Sequence, residues 1–254
     1  MTAGSHPKYQ HRSVLVVDVE SSSVRPDGHL MALRRSLYDI VDDALLRSSI
    51  PAARRVREDR GDGVLMLLDA RVPKIDLVDP LLDRLADAVA AHNQHNPPLE
   101  WLRLRIALHS GEVERDQHGW GGEALTRTFR LVEAAAVKAT LASAARAHCV
   151  IVVSDEFYQA VVRHRHRSIE PAHYRPIAVP VRGERVRAWV RVPGYPEPPI
   201  PADDAWPPAG PERLADAPPP TPPGPAERRV SIQAETIGTV FNDKVEVHHD
   251  LNIH

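Results

Sequence analysis

The sequence is short of the features that mark several large classes of protein. It has one cysteine, Cys149, so no internal disulfide can form. Cys149 opens the apolar run Cys149-Val150-Ile151-Val152-Val153, which predicts a buried core thiol rather than a reactive one. No apolar run approaches the roughly 20 residues a membrane-spanning helix needs. Met1 to Arg12 is polar and lacks the apolar stretch of a secretory signal. A cytoplasmic protein with no membrane partner is expected. Neither sign of charge dominates: 32 Lys and Arg stand against 34 Asp and Glu, a net of -2, so nothing draws the chain to nucleic acid. No internal repeat is visible.

What is there divides into zones. Residues 1–12 read as a flexible N-terminus, and residues 13–193 mix apolar periodicity with charge, as a folded domain does. Residues 194–225 hold 13 of the 24 prolines. Proline fixes φ and donates no backbone hydrogen bond, so residues 194–229 read as an extended linker. Residues 230–254 regain β-type alternation.

Within the domain, Ser13 to Val19 is β-branched and continuously apolar, as a central strand is. Residues 28–48 carry Leu30, Leu33, Leu37, Ile40, Val41, Ala44 and Leu45 at helical spacing. Strands are predicted near 53–58 and 63–68, joined by the turn Asp59-Arg60-Gly61-Asp62-Gly63. A helix follows at 75–94, then a strand in which Leu102, Leu104, Ile106 and Leu108 alternate with Arg103, Arg105, Ala107 and His109. The order βαββαβ is the α+β, ferredoxin-like arrangement: an antiparallel sheet with helices on one face. A helix at 122–147, a strand at 149–153, a helix at 155–164 and a hairpin near 176–191 complete the domain.

In a split βαβ unit the third strand lies antiparallel beside the first. Asp18 closes the first strand and Asp62 opens the third, so the topology brings two carboxylates to one sheet end. Ionised carboxylates that close repel, and a divalent cation relieves the repulsion. Mg²⁺ takes a few carboxylates plus phosphate oxygens, so a nucleoside triphosphate would complete its shell. Gly61 and Gly63 let the turn backbone approach closely.

Four motifs in order then resemble the class III adenylate/guanylate cyclase domain: Val16-Val17-Asp18-Val19-Glu20, Arg60-Gly61-Asp62-Gly63, Leu104 to Val113, and Gly122 to Leu131. The resemblance covers nearly all of 13–193. It implies that two copies pair head to tail and that active sites form at the homodimer interface. Two Mg²⁺ or Mn²⁺ ions per site would hold the triphosphate while the ribose 3′-hydroxyl attacks the α-phosphate. By the same resemblance Asp18 and Asp62 match the metal aspartates, and Val19 the residue whose carbonyl assists them. Arg130 matches the arginine that steadies the transition-state phosphate from the partner copy. Arg182 falls near the basic residue that contacts the triphosphate. Glu58 occupies the base-reading position, where lysine goes with adenine and glutamate with guanine. A second base-reading position falls at Gly119 or Trp120 and matches neither usual choice. Pyrimidine cyclases share the fold, so the base stays open, with GTP the first choice.

Two departures stand beside this. Thr126 occupies the place of a ribose-holding asparagine, and Ser21-Ser22-Ser23 replaces Gly-Phe-Thr/Ser. Two functions follow: a metal-dependent nucleotide cyclase, or a cyclase-like module that senses a nucleotide or dimerises and signals through its tail. That tail, 230–254, is too short to bury its own strands. It is a candidate for pairing with a protein partner or for self-assembly, and it weakly resembles short amyloid-type signalling motifs. A disordered tail is the alternative. His164-Arg165-His166-Arg167 reads as an exposed helix end without a carboxylate or cysteine partner.

Overall fold

Val14 to Val17 is apolar at every position, so a strand there must be covered on both sides. The computed structural model, which describes residues 9–20, 27–117 and 119–207, places it at the heart of the sheet. Strand β1 (Tyr9–Val19) pairs antiparallel with β3 (Gly63–Asp69) on one side and with β4 (Leu104–Asp116) on the other. The sheet order is β2-β3-β1-β4-β6-β8-β7, with β2 Arg55–Asp59, β6 Cys149–Ser154, β7 Arg175–Val181 and β8 Glu184–Arg191. The short β5 (Gly119–Gly121) pairs with the far end of β4. The βαββαβ core is the ferredoxin-like one that the order of elements predicts.

Side chains alternate between two cores, as the period of a strand requires. Leu15, Val17 and Val19 meet Leu33 and Leu37 of α1 (Asp27–Arg47). Beside α1 runs a second helical stretch: α2 (Lys74–Asp76), a π-helical segment Leu77–Leu82, and α3 (Asp83–His95). Val14, Val16, Leu65 and Leu67 point the other way. They meet Leu125 and Leu131 of α4 (Glu123–Glu133) and Val137 of α5 (Ala135–Ser143). Helices therefore cover both faces, not one.

Other boundaries differ for physical reasons. Strand β1 begins at Tyr9, inside the segment expected to be flexible, because β4 extends to Asp116 and offers Gly111 to Glu114 as partners. The helix expected at 75–94 is interrupted at Asp79 (φ -133°, ψ 107°), whose backbone is turned from helix by the proline that follows it. The helix expected at 122–147 divides at Ala134 (ψ 135°). The proline-rich stretch does not leave the domain at once. Trp206 N–H donates to the Pro176 carbonyl at 3.0 Å, and Ala205 bridges to Ile177, so the packed chain runs to residue 207 along the edge of β7. Among the described residues, no helix is long and apolar enough to cross a membrane. Residues 230–254 lie outside the described residues.

Candidate nucleotide and metal site

The register of β1 on β3 sets the site. Asp18 stands opposite Gly63, and the Val19 N–H donates to the Asp62 carbonyl at 3.2 Å. Asp18, near the end of β1, and Asp62, in the turn just before β3, are thus brought close along the backbone, as the topology predicts. The turn between β2 and β3 is closed by Arg60 N–H to the Gly63 carbonyl (3.1 Å) and by Gly61 N–H to Asp59 Oδ1 (2.9 Å). Gly63 is required: a Cβ there would lie 2.8 Å from the Val17 carbonyl oxygen. Gly61 has φ +77°, where a side chain is strained. A cavity of about 360 Å³ opens beside Asp62, lined by Val19, Leu30, Met31, Arg34, Gly61 and Asp62.

Asp18 already has a cation. Its register partner on β4 is Arg105, whose Nη2 donates to Asp18 Oδ2. Both side chains are nearly enclosed, at 14% and 11% exposure. Arg105 also reaches Glu133 at the end of α4, at 3.4 Å. Burial pushes the Asp18 carboxyl up to about 6, and the negative charges of Asp62 and Glu133 add to the rise, against the pull of Arg105. The charged form of Asp18 is therefore short of positive charge even with Arg105 in place.

That deficit suits a divalent ion. Among the described residues, no group of three or more His, Cys, Asp or Glu side chains is set to enclose a metal. Two carboxylates and a backbone carbonyl instead leave coordination positions for phosphate oxygens and water, as Mg²⁺ prefers. The residues present fit the ion.

A second set of residues gathers on the α4 face. Val56 and Leu65 pack into the core beneath α4, and Glu58 shares that face of β2. Glu58 Oε2 accepts from Arg60 Nη2 at 2.7 Å, and the Arg60 guanidinium lies 5.3 Å from the Phe129 ring centroid. A Cβ on Gly119 would sit 3.4 Å from Glu58 Oε1. The two base-reading positions inferred from the resemblance are therefore adjacent. On α4, Glu123, Thr126, Arg130 and Glu133 form an exposed stripe, while Ala124, Leu125, Thr128, Leu131 and Val132 are buried. Thr126 Oγ1 donates to the Gly122 carbonyl at 3.3 Å. Arg130 makes no hydrogen bond or ion pair among the described residues, so its guanidinium is available to a ligand. Arg182 and Gly183 have φ 51° and 87°, the two positive angles of a tight hairpin turn between β7 and β8. Arg182 lies 3.9 Å from Glu123, at the start of α4 and one turn from Thr126.

Sequence reasoning missed Arg105, Arg60, Phe129 and Glu133. Arg105 had a signal: in this topology β4 flanks β1, so a cation on β4 level with Asp18 is the natural partner. Cys149 is buried as expected, and burial pushes its thiol up to about 12. The 164–167 segment is exposed as expected, but it does have carboxylate partners: Arg165 with Glu170 at 3.6 Å and Arg167 with Asp76 at 2.7 Å.

The sheet order, the two-sided helix cover and the carboxylate pair together define the fold of a class III nucleotide cyclase catalytic domain. Solved structures agree. A guanylyl cyclase, Cya2, matches with TM-score 0.52 at 15% identity, over 78% of this chain and 97% of that one. An adenylate/guanylate cyclase/hydrolase from Silicibacter pomeroyi matches with TM-score 0.55 at 16% identity, over 74% and 100%. The adenylyl cyclase CyaB from P. aeruginosa matches with TM-score 0.52 at 14% identity, over 73% and 96%. Comparison with family profiles and with curated proteins gives no match. The likeness is one of fold.

Proposed function

We propose that this chain is a nucleotide cyclase that converts a nucleoside triphosphate, GTP first, to a 3′,5′-cyclic nucleotide and pyrophosphate at a homodimer interface. One observation carries the reading: the β1–β3 register sets Asp18 and Asp62 side by side at one end of the sheet. Asp18, Asp62 and the Val19 carbonyl would hold Mg²⁺ or Mn²⁺. When bound, such an ion neutralises phosphate charge and lowers the pKa of the attacking hydroxyl.

The remaining roles belong to the chain. The ribose 3′-oxygen bonds to the α-phosphorus, the bond to pyrophosphate breaks, and the hydroxyl proton passes to solvent. Arg105, whose guanidinium pairs with Asp18, would be free to turn to the phosphates when Asp18 holds an ion; a charge-assisted fork suits their oxygens. Arg130 and Thr126 face outward on α4, the orientation that a contribution to a neighbouring copy's site requires. Arg182, on its turn beside Glu123, would meet the triphosphate from the same side. Glu58 would accept from the base.

A second reading, a nucleotide-sensing module without turnover, is favoured by Thr126, whose hydroxyl is engaged with Gly122 and which is shorter than the asparagine it replaces.

The test is incubation of the purified chain with each of the four triphosphates and Mn²⁺ or Mg²⁺. A 3′,5′-cyclic product with pyrophosphate, absent in Asp62→Ala, supports the enzyme. A folded dimer that binds nucleotide and releases nothing leaves the sensor.

A further inference from the structure

The geometry points to Arg60 as a specificity-determining residue: with Glu58 it forms a donor–acceptor edge that reads the C6 carbonyl and N1–H of a 6-oxopurine. This rests on the proposed cyclase site.

Glu58 lies on β2 and Arg60 just past its end, in the turn to β3, and the two side chains meet on the side of α4 and β5. Their hydrogen bond, Arg60 Nη2 to Glu58 Oε2, is 2.7 Å. The guanidinium rests 5.3 Å from the centroid of Phe129, which holds its plane against α4. Glu58 Oε1 faces Gly119, where a Cβ would sit 3.4 Å from it. Gly119 has φ +136° and its N–H is held by Asp116 Oδ1 at 3.0 Å, so this close approach is built into the backbone. Both polar side chains are only partly covered, at 26% and 41% exposure, and so remain open to a ligand.

The chemistry of this edge is selective. A guanidinium carries five N–H donors and Glu58 takes one, so donors remain. A carboxylate only accepts. Guanine presents, side by side, one acceptor (O6) and two donors (N1–H and the 2-amino group). Arg60 satisfies the first while Glu58 takes the other two. Adenine has an amino group in place of O6 and an unprotonated N1. Placed in the same orientation, it sets donor against donor and acceptor against acceptor, leaving polar groups unpaired.

The experiment measures binding of α,β-methylene analogues of GTP, ITP, ATP and 2-aminopurine riboside triphosphate to the full chain with Mn²⁺. Wild type is expected to favour GTP and ITP, which carry the 6-oxo group, over ATP and the 2-aminopurine analogue by about 10- to 100-fold, the range for hydrogen bonds to charged groups. Arg60→Met is expected to cut that preference about tenfold by weakening GTP and ITP alone, Glu58 still accepting from N1–H, with the melting temperature showing that the fold survives. Arg60→Lys, which keeps a donor, is expected to retain part of it. A preference undiminished in Arg60→Met, or equal binding of all four analogues to wild type, overturns the assignment while leaving the cyclase reading intact. Failure of every analogue to bind wild type overturns both. If Arg60→Met does not fold, Arg60→Lys decides: a GTP and ITP preference there equal to that of wild type overturns the assignment.

Discussion

Arg105 and Asp18 face each other across β4 and β1, and the guanidinium holds the carboxylate that the proposed metal ion would need. Removing one partner of so enclosed a pair leaves the other charge uncompensated. Arg105→Met is expected to cost about 3 kcal/mol at pH 8, measured by urea unfolding. Much of that cost should return in the double variant with Asp18→Asn. Mn²⁺ should stabilise Arg105→Met more than it stabilises wild type, because the ion then has no rival cation. Additive single effects would contradict the pairing.

The raised pKa of Asp18 gives a prediction with a definite sign. Between the ordinary value of 3.8 and about 6, the folded protein binds a proton that the unfolded chain does not. This contribution to stability is present at the low end of that window and falls as pH rises through about 6. Above pH 6, ionised Asp18 destabilises the metal-free fold. Asp18→Asn should therefore flatten the fall in melting temperature of metal-free protein between pH 4 and pH 8, its difference from wild type being several degrees more favourable at pH 8 than at pH 4. Calorimetry at the two pH values checks it. An equal change at both would show that the shift does not arise from ionisation.

His109 has the opposite sign. It is buried on β4 with Nδ1 2.8 Å from Ser154 Oγ, and burial lowers its pKa to about 4. The unfolded chain takes up a proton near 6.5 that the fold resists. Stability from this residue is full above pH 6.5 and is lost as pH falls toward 4. The His109 proton resonances should show no titration between pH 8 and 5. A midpoint near 6.5 would mean that the ring is exposed.

How far the sequence foretold this site depends on the range of the contacts involved. Asp18 beside Asp62 was legible because strand period and the βαββαβ order fix which strands touch. The topology puts β4 beside β1, but singling out Arg105 as the partner of Asp18 also needs the exact register of β4, whose second half, Ser110 to Asp116, is mostly polar and does not fix it. The break at Ala134 lies among residues that all favour helix, so only packing on the sheet reveals it. Pro80 is a signal for the break at Asp79 that the apolar spacing from Leu77 to Val89 does not carry. Glu58, Arg60 and Phe129 meet only because α4 folds back over β2 and β3, a contact between residues distant in the chain.

Gly63 is the narrowest point of the carboxylate site. Gly63→Ala would drive a Cβ against the Val17 carbonyl, forcing β3 away from β1. A loss of about 1–3 kcal/mol is expected, together with weaker metal binding. Gly121→Ala, where a Cβ meets nothing within 4 Å, should cost much less. Parallel urea unfolding of the two variants compares them.

The claim beneath all of this is that two acidic residues on neighbouring strands grip one divalent ion for a triphosphate. Mn²⁺ electron paramagnetic resonance on the full chain with a non-cyclisable GTP analogue tests it most directly. The account expects a tightly bound Mn²⁺ signal in wild type that is lost in both Asp18→Asn and Asp62→Asn. A bound signal that survives both substitutions, or none in wild type with nucleotide present, would contradict it.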